Sequence, residues 1–171
     1  AFFTRWTPPL QRIGDSAMRL SAARSALCPF EITVHSGPQA AREALTLLLD
    51  ALSCLSLGAE EVCVVRLVVA EMLNNIVEHA YPDPHPPGPI HIACHHAPDG
   101  LHLAVSDEGL PMPDLQVPLG LPQEIDRPVC DLPEGGFGWF LIRDLAKDLT
   151  YRRLAQENRI DLRLPVGLPP R

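Results

Sequence analysis

The pattern of hydrophobic and polar positions predicts one long central helix over residues 59–81, with Pro82 as its stop. On a helical wheel, one face of this helix is apolar and fits a core; its members are Val62, Val65, Val69, Met72, Leu73 and Ile76. The opposite side is apolar in the first half, at Val64, Leu67 and Val68. It then turns polar at Glu71 and Asn75, which an i, i+4 spacing places one turn apart. Two interpretations remain open: the edge of a pocket, or the solvated end of a surface helix.

The flanking segments predict a sheet and a covering helix. Residues 30–35 alternate between apolar and polar side chains, which predicts a strand. Residues 40–57 predict a helix, whose apolar stripe comprises Ala44, Leu47, Leu48, Ala51 and Leu55. We expect this helix to cover Val64, Leu67 and Val68. After the proline-rich loop 82–89, residues 90–95 and 101–106 form one hairpin. Residues 149–154 and 159–164 form a closing hairpin around Gln156, Glu157 and Asn158.

Composition indicates a single domain, because 171 residues with 46% hydrophobic content can bury a sizeable core. We place this domain at residues 30–165 and a short tail at 166–171. Residues 1–29 carry four arginines against Asp15 alone, which is typical of a transit segment, a partner-binding helix or an extension; we favour the extension.

Charge and cysteine usage exclude several classes of function. A net charge of -7 argues against a nucleic-acid partner, and no apolar stretch is long enough to span a membrane. Five cysteines without a C-x-x-C pair predict small unpaired core residues, hence a cytoplasmic protein without a disulfide framework. The seven histidines show no convincing metal-ligand spacing.

Two further segments carry candidate chemistry. Asp107 follows a strand and precedes Gly109, so its carboxylate could accept from an amino group of a planar ligand, although such a sequence is more often a simple turn. Residues 110–134 are proline-rich and aperiodic, and we interpret them as a lid. Gly135, Gly136 and Gly138 then lead into a helix, where backbone N–H groups and the helix dipole favour an anion such as phosphate.

Three motifs, taken in this order, resemble the N, G1 and G2 boxes of the GHKL ATPases: they are Glu71-x-x-x-Asn75, Asp107-x-Gly109 and Gly136-x-Gly138. The single-domain plan is similar to that of the bacterial anti-sigma factor serine kinases. This resemblance implies an α/β (α+β) two-layer sandwich, with a mixed, mainly antiparallel sheet, helices on one face and a Bergerat ATP-binding site. It also implies roles for the site residues. Asn75 matches the Mg²⁺ ligand of the family, and Glu71 matches its general base. Asp107 and Gly109 match the adenine site, and the phosphate turn is matched by Gly135, Gly136 and Gly138. Asn74 lies about 100° away from Asn75 on the helical wheel and is not the predicted ligand.

The function implied is an ATP-dependent protein serine kinase that acts as an anti-sigma factor in a partner-switching module. It would phosphorylate a small anti-sigma factor antagonist, bind a sigma factor and form a homodimer. The alternative is a nucleotide-responsive binding module with little phosphotransfer. A histidine kinase is less favoured, since residues 1–29 hold no helix pair with a phosphoacceptor histidine.

The sequence departs from the family pattern at a few positions. Pro111 replaces the second glycine of the G1 box, and Trp139 and Phe140 are bulkier than the expected leucines. We expect His79 to be a structural residue at the helix end, and Phe137 and Trp139 to pack rather than stack on a base.

Overall fold

The computed structural model describes residues 29–119 and 138–168. Several predictions fall outside these residues. They concern the extension before Pro29, the lid residues 120–134, Gly135 and Gly136 of the phosphate turn, Phe137, and the end of the tail.

A five-stranded antiparallel sheet forms the base of the fold. Its strands are β1 (Phe30–His35), β2 (Pro89–Ala97), β3 (Gly100–Asp107), β4 (Lys147–Leu154) and β5 (Glu157–Leu164). They lie in the order β1-β2-β3-β5-β4, and every described pair of neighbours is antiparallel. Because side chains alternate along a strand, one face buries residues such as Ile32, Ile92 and Ile160 while the other faces solvent.

Within the described residues, three helices cover the buried face of the sheet: α1 (Ala40–Leu52), α2 (Ala59–Asn75) and α3 (Gly138–Leu145). A 3₁₀ turn (Ser53–Leu55) follows α1, and a second one (Pro113–Leu115) lies in the loop after β3. At the start of α2, the Gly58 N–H donates to the Glu61 carboxylate at 2.8 Å, which satisfies an otherwise unpaired helix-end donor. The predicted fold class, a two-layer sandwich with helices on one face, is confirmed.

The core lies between the sheet and the predicted apolar face of α2. Val65, Val69, Met72 and Leu73 are fully buried, as expected, and α1 and α3 both pack against α2. Val68 is buried as well, which agrees with the predicted cover on the second side of the helix. The prediction for Leu47 was wrong: its side chain is 47% exposed, because the buried stripe of α1 runs through Ala44, Leu48 and Leu52 instead.

The predicted central helix changes its geometry near its end. Regular α-helix stops at Asn75, and a single π-helical turn (Ile76–Ala80) follows, in which the Tyr81 N–H donates to the Ile76 carbonyl at 3.2 Å. Such turns are rare and occur often at functional sites. Pro82 lies beyond this turn, as its role as a helix stop requires.

Two further expectations differ from the structure. Asn158 lies in β5 and is buried, so it is not part of the hairpin turn. Cys54 and Cys94 are free thiols, but Cys63 is disulfide-bonded, against the expectation of unpaired cysteines. Within residues 29–119 and 138–168, no helix is both long and apolar enough to cross a membrane.

Candidate functional site

A cavity of about 480 Å³ opens where the end of α2, the loop after β3, the start of α3 and the β4–β5 hairpin meet. Its wall is mainly apolar, with a few polar groups; the lining includes Asn75, His79, Asp107, Trp139 and Tyr151. This volume and this kind of wall are typical of sites for small molecules.

Asn75 lies at the last position of α2, where the regular helix gives way to the π-helical turn. Its side-chain nitrogen donates to the backbone carbonyl of Glu71 at 2.6 Å. A carbonyl can only accept, so this contact fixes the amide nitrogen on the helix side. The amide oxygen is therefore the atom left to interact with a ligand.

Gly138, the first residue of α3, lies directly beside Glu71 and Asn75. A Cβ built on Gly138 would be 3.4 Å from the Glu71 carboxylate and 3.4 Å from the Asn75 amide nitrogen. Two predicted elements that are more than 60 residues apart in the sequence therefore meet in space. The start of α3, the positive end of the helix dipole, adjoins a carboxylate and an amide, an arrangement that suits a phosphate and its cation.

Asp107 ends β3 and is 4% exposed. One of its oxygens, Oδ1, accepts from the Gly109 N–H at 2.9 Å and from the Asn158 side-chain nitrogen at 2.7 Å. Burial raises the pKa of Asp107, whereas these two donors and the positive charge of Arg153 act in the opposite direction. A buried carboxylate with donors on one oxygen is thus presented to the cavity.

Gly109 packs flush against the π-helical turn, and no larger residue fits there. A Cβ on Gly109 would lie 2.4 Å from the Ala80 carbonyl oxygen, well inside contact distance. The same oxygen accepts from the Leu110 N–H at 2.9 Å. This glycine is therefore required for close approach of two backbone segments, which holds the loop after Asp107 against the helix end.

Tyr81 fixes the same loop from the other side. Its hydroxyl donates to the Pro89 carbonyl at 3.0 Å and accepts from the Glu108 N–H at 2.9 Å. The ring is 9% exposed, and this burial raises the pKa of the phenol. The π-helical turn and Tyr81 together determine where the Asp107 loop lies.

Sequence reasoning missed a polar cluster on the β4–β5 hairpin, formed by Tyr151, Arg153 and Asn158. The Asn158 oxygen accepts from Arg153 at 2.6 Å and from the Tyr151 hydroxyl at 2.7 Å. The signal was present in the sequence: Asn158 has the same parity as Ile160, Leu162 and Leu164, and all four face inward. A polar residue at an inward-facing position indicates a buried hydrogen-bond network.

The beginning of the predicted lid is attached to α3. The Arg143 guanidinium donates to the carbonyls of Val117 and Pro118 at 3.0 and 2.8 Å. Trp139 packs against the core and also lines the cavity, and exposed His79 belongs to the π-helical turn. The structure brings together five of the predicted site residues, namely Glu71, Asn75, Asp107, Gly109 and Gly138, whereas Gly135 and Gly136 lie outside the described residues.

Known protein families and known proteins include relatives of this chain. Residues 34–164 match the family described as histidine kinase-like ATPase domain. The serine-protein kinase RsbW of Halalkalibacterium halodurans is 35% identical over 83 residues, 47% of this chain and 49% of that protein. RsbW of Bacillus cereus strain AH187 is 35% identical over 86 residues, 49% of this chain and 52% of that protein. These alignments span about half the length of each relative.

A solved structure supports the fold. The crystal structure of the RsbU and RsbW domains of Rv1364c from Mycobacterium tuberculosis has a TM-score of 0.55 and 19% identity. The match covers 81% of this chain and 32% of that one. The match over residues 34–164 establishes the assignment: the chain belongs to the family of histidine kinase-like ATPase domains, in agreement with its resemblance to the GHKL ATPases.

Proposed function

We propose that this protein binds ATP with Mg²⁺ and transfers a phosphoryl group to a serine of a partner protein. The observation that carries the proposal is the meeting of Glu71, Asn75 and Gly138 beside a cavity whose wall includes the buried Asp107. One part of the site suits an anion and a cation, and the other suits a flat polar ring. A nucleoside triphosphate has both parts.

Asp107 fits the adenine end of such a ligand. Its carboxylate, when ionised, accepts hydrogen bonds only, so it pairs with the exocyclic amino group of adenine. Gly109 holds the loop in place, and the apolar wall around Met112 and Ile160 excludes water from the base. This combination of one directed polar group and an apolar wall is the usual basis of specificity in small-molecule sites.

Asn75 fits a magnesium site with few protein ligands. The described residues hold no cluster of three or more histidine, cysteine or acidic side chains that could cage a metal. Mg²⁺ is commonly bound through one or two protein oxygens together with phosphate oxygens and waters. The Asn75 amide oxygen, oriented by the contact with Glu71, is such a ligand, and the cation would supply neutralisation of phosphate charge.

Glu71 is the proposed general base. Its carboxylate lies beside Gly138, where the proposed phosphate turn begins, and a carboxylate there can take the proton of an approaching serine hydroxyl. The phosphate turn itself would comprise Gly135, Gly136 and Gly138. Phosphoryl transfer depends mainly on positioning and on charge neutralisation, so a site with few reactive groups suffices.

The partners are proposed from the resemblance to the anti-sigma factor serine kinases. RsbW is the name of the relatives that match at 35% identity, and they are called serine-protein kinases. By analogy, the substrate is a small anti-sigma factor antagonist, the inhibited partner a sigma factor, and the active form a homodimer in the cytoplasm. Residues 1–29 would be an extension of the kinase domain, and residues 110–134 its lid.

The test is phosphotransfer from labelled ATP in the presence of magnesium and a candidate antagonist. The proposal expects label on a serine of the antagonist with the wild-type chain and loss of label in Glu71→Ala. Nucleotide binding should persist in this variant, because Glu71 does not line the cavity. A complex that forms with ATP while the wild type transfers no label would instead support a nucleotide-responsive binding module.

A further inference from the structure

The hairpin cluster of Tyr151, Arg153 and Asn158 has no role in the proposed reaction, yet it contacts the base-binding end of the site. Asn158 is 3% exposed. Its side-chain oxygen accepts from both Arg153 and Tyr151, at 2.6 and 2.7 Å. Both neighbours are donors, so they occupy the oxygen and turn the nitrogen of the same amide to the opposite side.

The nitrogen of Asn158 faces Asp107 and the loop after it. It donates to Asp107 Oδ1 at 2.7 Å and to the Leu110 carbonyl at 3.0 Å. All of these partners are acceptors, so the orientation of the amide is determined by chemistry on both sides. In the described part of the chain, no buried side-chain nitrogen or oxygen lacks a hydrogen-bond partner.

We propose that Asn158 is a positioning residue that makes Asp107 selective for the amino group of a purine. The inference rests on the proposed nucleotide site and adds a determinant of its base specificity. Asp107 Oδ1 already receives two N–H donors, from Asn158 and Gly109. The other oxygen is the one available to the ligand, and it accepts from a 6-amino group but has no proton to offer a 6-oxo group.

The selectivity depends on Asp107 being ionised. Burial raises the pKa of Asp107, and the hydrogen bond from Asn158 is the largest influence that lowers it. Among the surrounding charged groups, Arg153 lowers this pKa and Glu157 raises it. Tyr81 and Glu108 lie on the helix side of the loop, and His79 lines the same cavity. Loss of the Asn158 donor therefore raises the pKa of Asp107 further.

The cluster also holds the start of the lid in place. Arg153 donates to the Gly109 carbonyl at 3.0 Å, and the Tyr151 hydroxyl accepts from the Met112 N–H at 3.1 Å. One hairpin thus fixes both the carboxylate and the backbone of residues 109–112. The same three side chains therefore hold both the base-binding carboxylate and the first residues of the predicted lid.

The test compares ATP with inosine triphosphate, which carries a 6-oxo group in place of the 6-amino group. The variant is Asn158→Asp, which has the same shape and can still accept from Arg153 and Tyr151 but has no donor for Asp107. We expect ATP affinity to fall about 10- to 100-fold, which is the effect of losing the hydrogen bond between the adenine amino group and the ionised carboxylate of Asp107. The ATP to inosine triphosphate affinity ratio should fall towards one, because a protonated Asp107 can donate to a 6-oxo group.

A pH series separates this role from a merely structural one. Wild-type ATP affinity should decline as the pH falls through the pKa of Asp107, and the variant should show the same decline displaced to higher pH. Arg152→Ala is the matched control, since Arg152 lies on β4 but pairs with Asp161 on the solvent side of the sheet. Its affinity ratio and pH profile should match those of the wild type.

The outcomes are distinct. A folded Asn158→Asp protein with an unchanged ratio and pH profile overturns the positioning role. If Asn158→Asp does not fold, Asn158→Ala decides: it also removes the donor to Asp107, without adding a charge, and an unchanged ratio in that folded variant overturns the role as well. Asp107→Asn tests the underlying site. Unchanged ATP binding by Asp107→Asn refutes the proposed function itself. If Asp107→Asn loses the preference for ATP over inosine triphosphate but the Asn158 variant keeps it, only the role of Asn158 is refuted.

Discussion

Replacing Gly109 by alanine tests how closely the Asp107 loop is packed against the helix end. The added Cβ would lie 2.4 Å from the Ala80 carbonyl oxygen and 2.7 Å from the Ala80 Cβ. To reach an ordinary contact of about 3.5 Å, the two segments must separate by about 1 Å. That movement would break the 2.9 Å hydrogen bond from the Leu110 N–H to the same oxygen.

The expected loss of stability combines two effects. Overpacking typically costs about 1–3 kcal/mol, and a lost backbone hydrogen bond about 0.5–1.5 kcal/mol. We therefore expect the free energy of unfolding to fall by about 2–4 kcal/mol and Tm by about 5–15 °C. ATP affinity should fall about 10-fold or more, because the displaced loop carries Asp107 away from the base.

The assay is urea unfolding followed by calorimetric titration with ATP. Gly37→Ala is the matched control, because nothing lies within 4 Å of a Cβ at Gly37. This control should stay within about 1 kcal/mol of the wild type. If Gly109→Ala is as stable as Gly37→Ala and binds ATP equally well, the close approach described for this loop is wrong.

Three further predictions concern other residues. Asn75→Ala should abolish magnesium-dependent ATP binding and leave the fold intact, and normal turnover in this variant refutes the ligand assignment. Asn74→Ala, at an exposed neighbouring position, is the control and should not change ATP binding. Tyr81→Phe should lower the free energy of unfolding by about 1–3 kcal/mol, since two hydrogen bonds depend on the hydroxyl; an unchanged urea midpoint contradicts this. Burial raises the pKa of Cys94 to about 12, so its thiol stays neutral at pH 8. Iodoacetamide should then label exposed Cys54 in preference to Cys94 in the native protein, and equal labelling measured by mass spectrometry counts against the burial.

The helical periodicity was sufficient to predict the central helix and its buried face. Residues 62–76 place an apolar side chain at every turn, and the structure buries Val65, Val69 and Met72 as that spacing requires. The π-helical turn after Asn75 could not be predicted in this way. It arises from a shift in backbone hydrogen bonding, which leaves no mark on side-chain spacing, and Pro82 sets only its outer limit.

The candidate site was partly accessible from sequence, because its boxes combine residue types whose chemistry is specific. Glu71, Asn75 and Gly138 were predicted to act together, and the structure brings them together. Asn158 was interpreted as a turn residue, and asparagine is indeed a residue that is common in turns. Its burial depends on hydrogen-bond donors and acceptors from β3, β4 and the loop after β3, and these long-range contacts override the local preference of asparagine for a turn.

The most direct test of the account is calorimetric titration of the purified chain with ATP in the presence of magnesium, with Asp107→Ala measured in parallel. The account predicts saturable binding by the wild type and a loss of affinity of at least about 10-fold in the variant. The absence of any binding heat with the folded wild-type protein, or equal affinities for the two proteins, would contradict it.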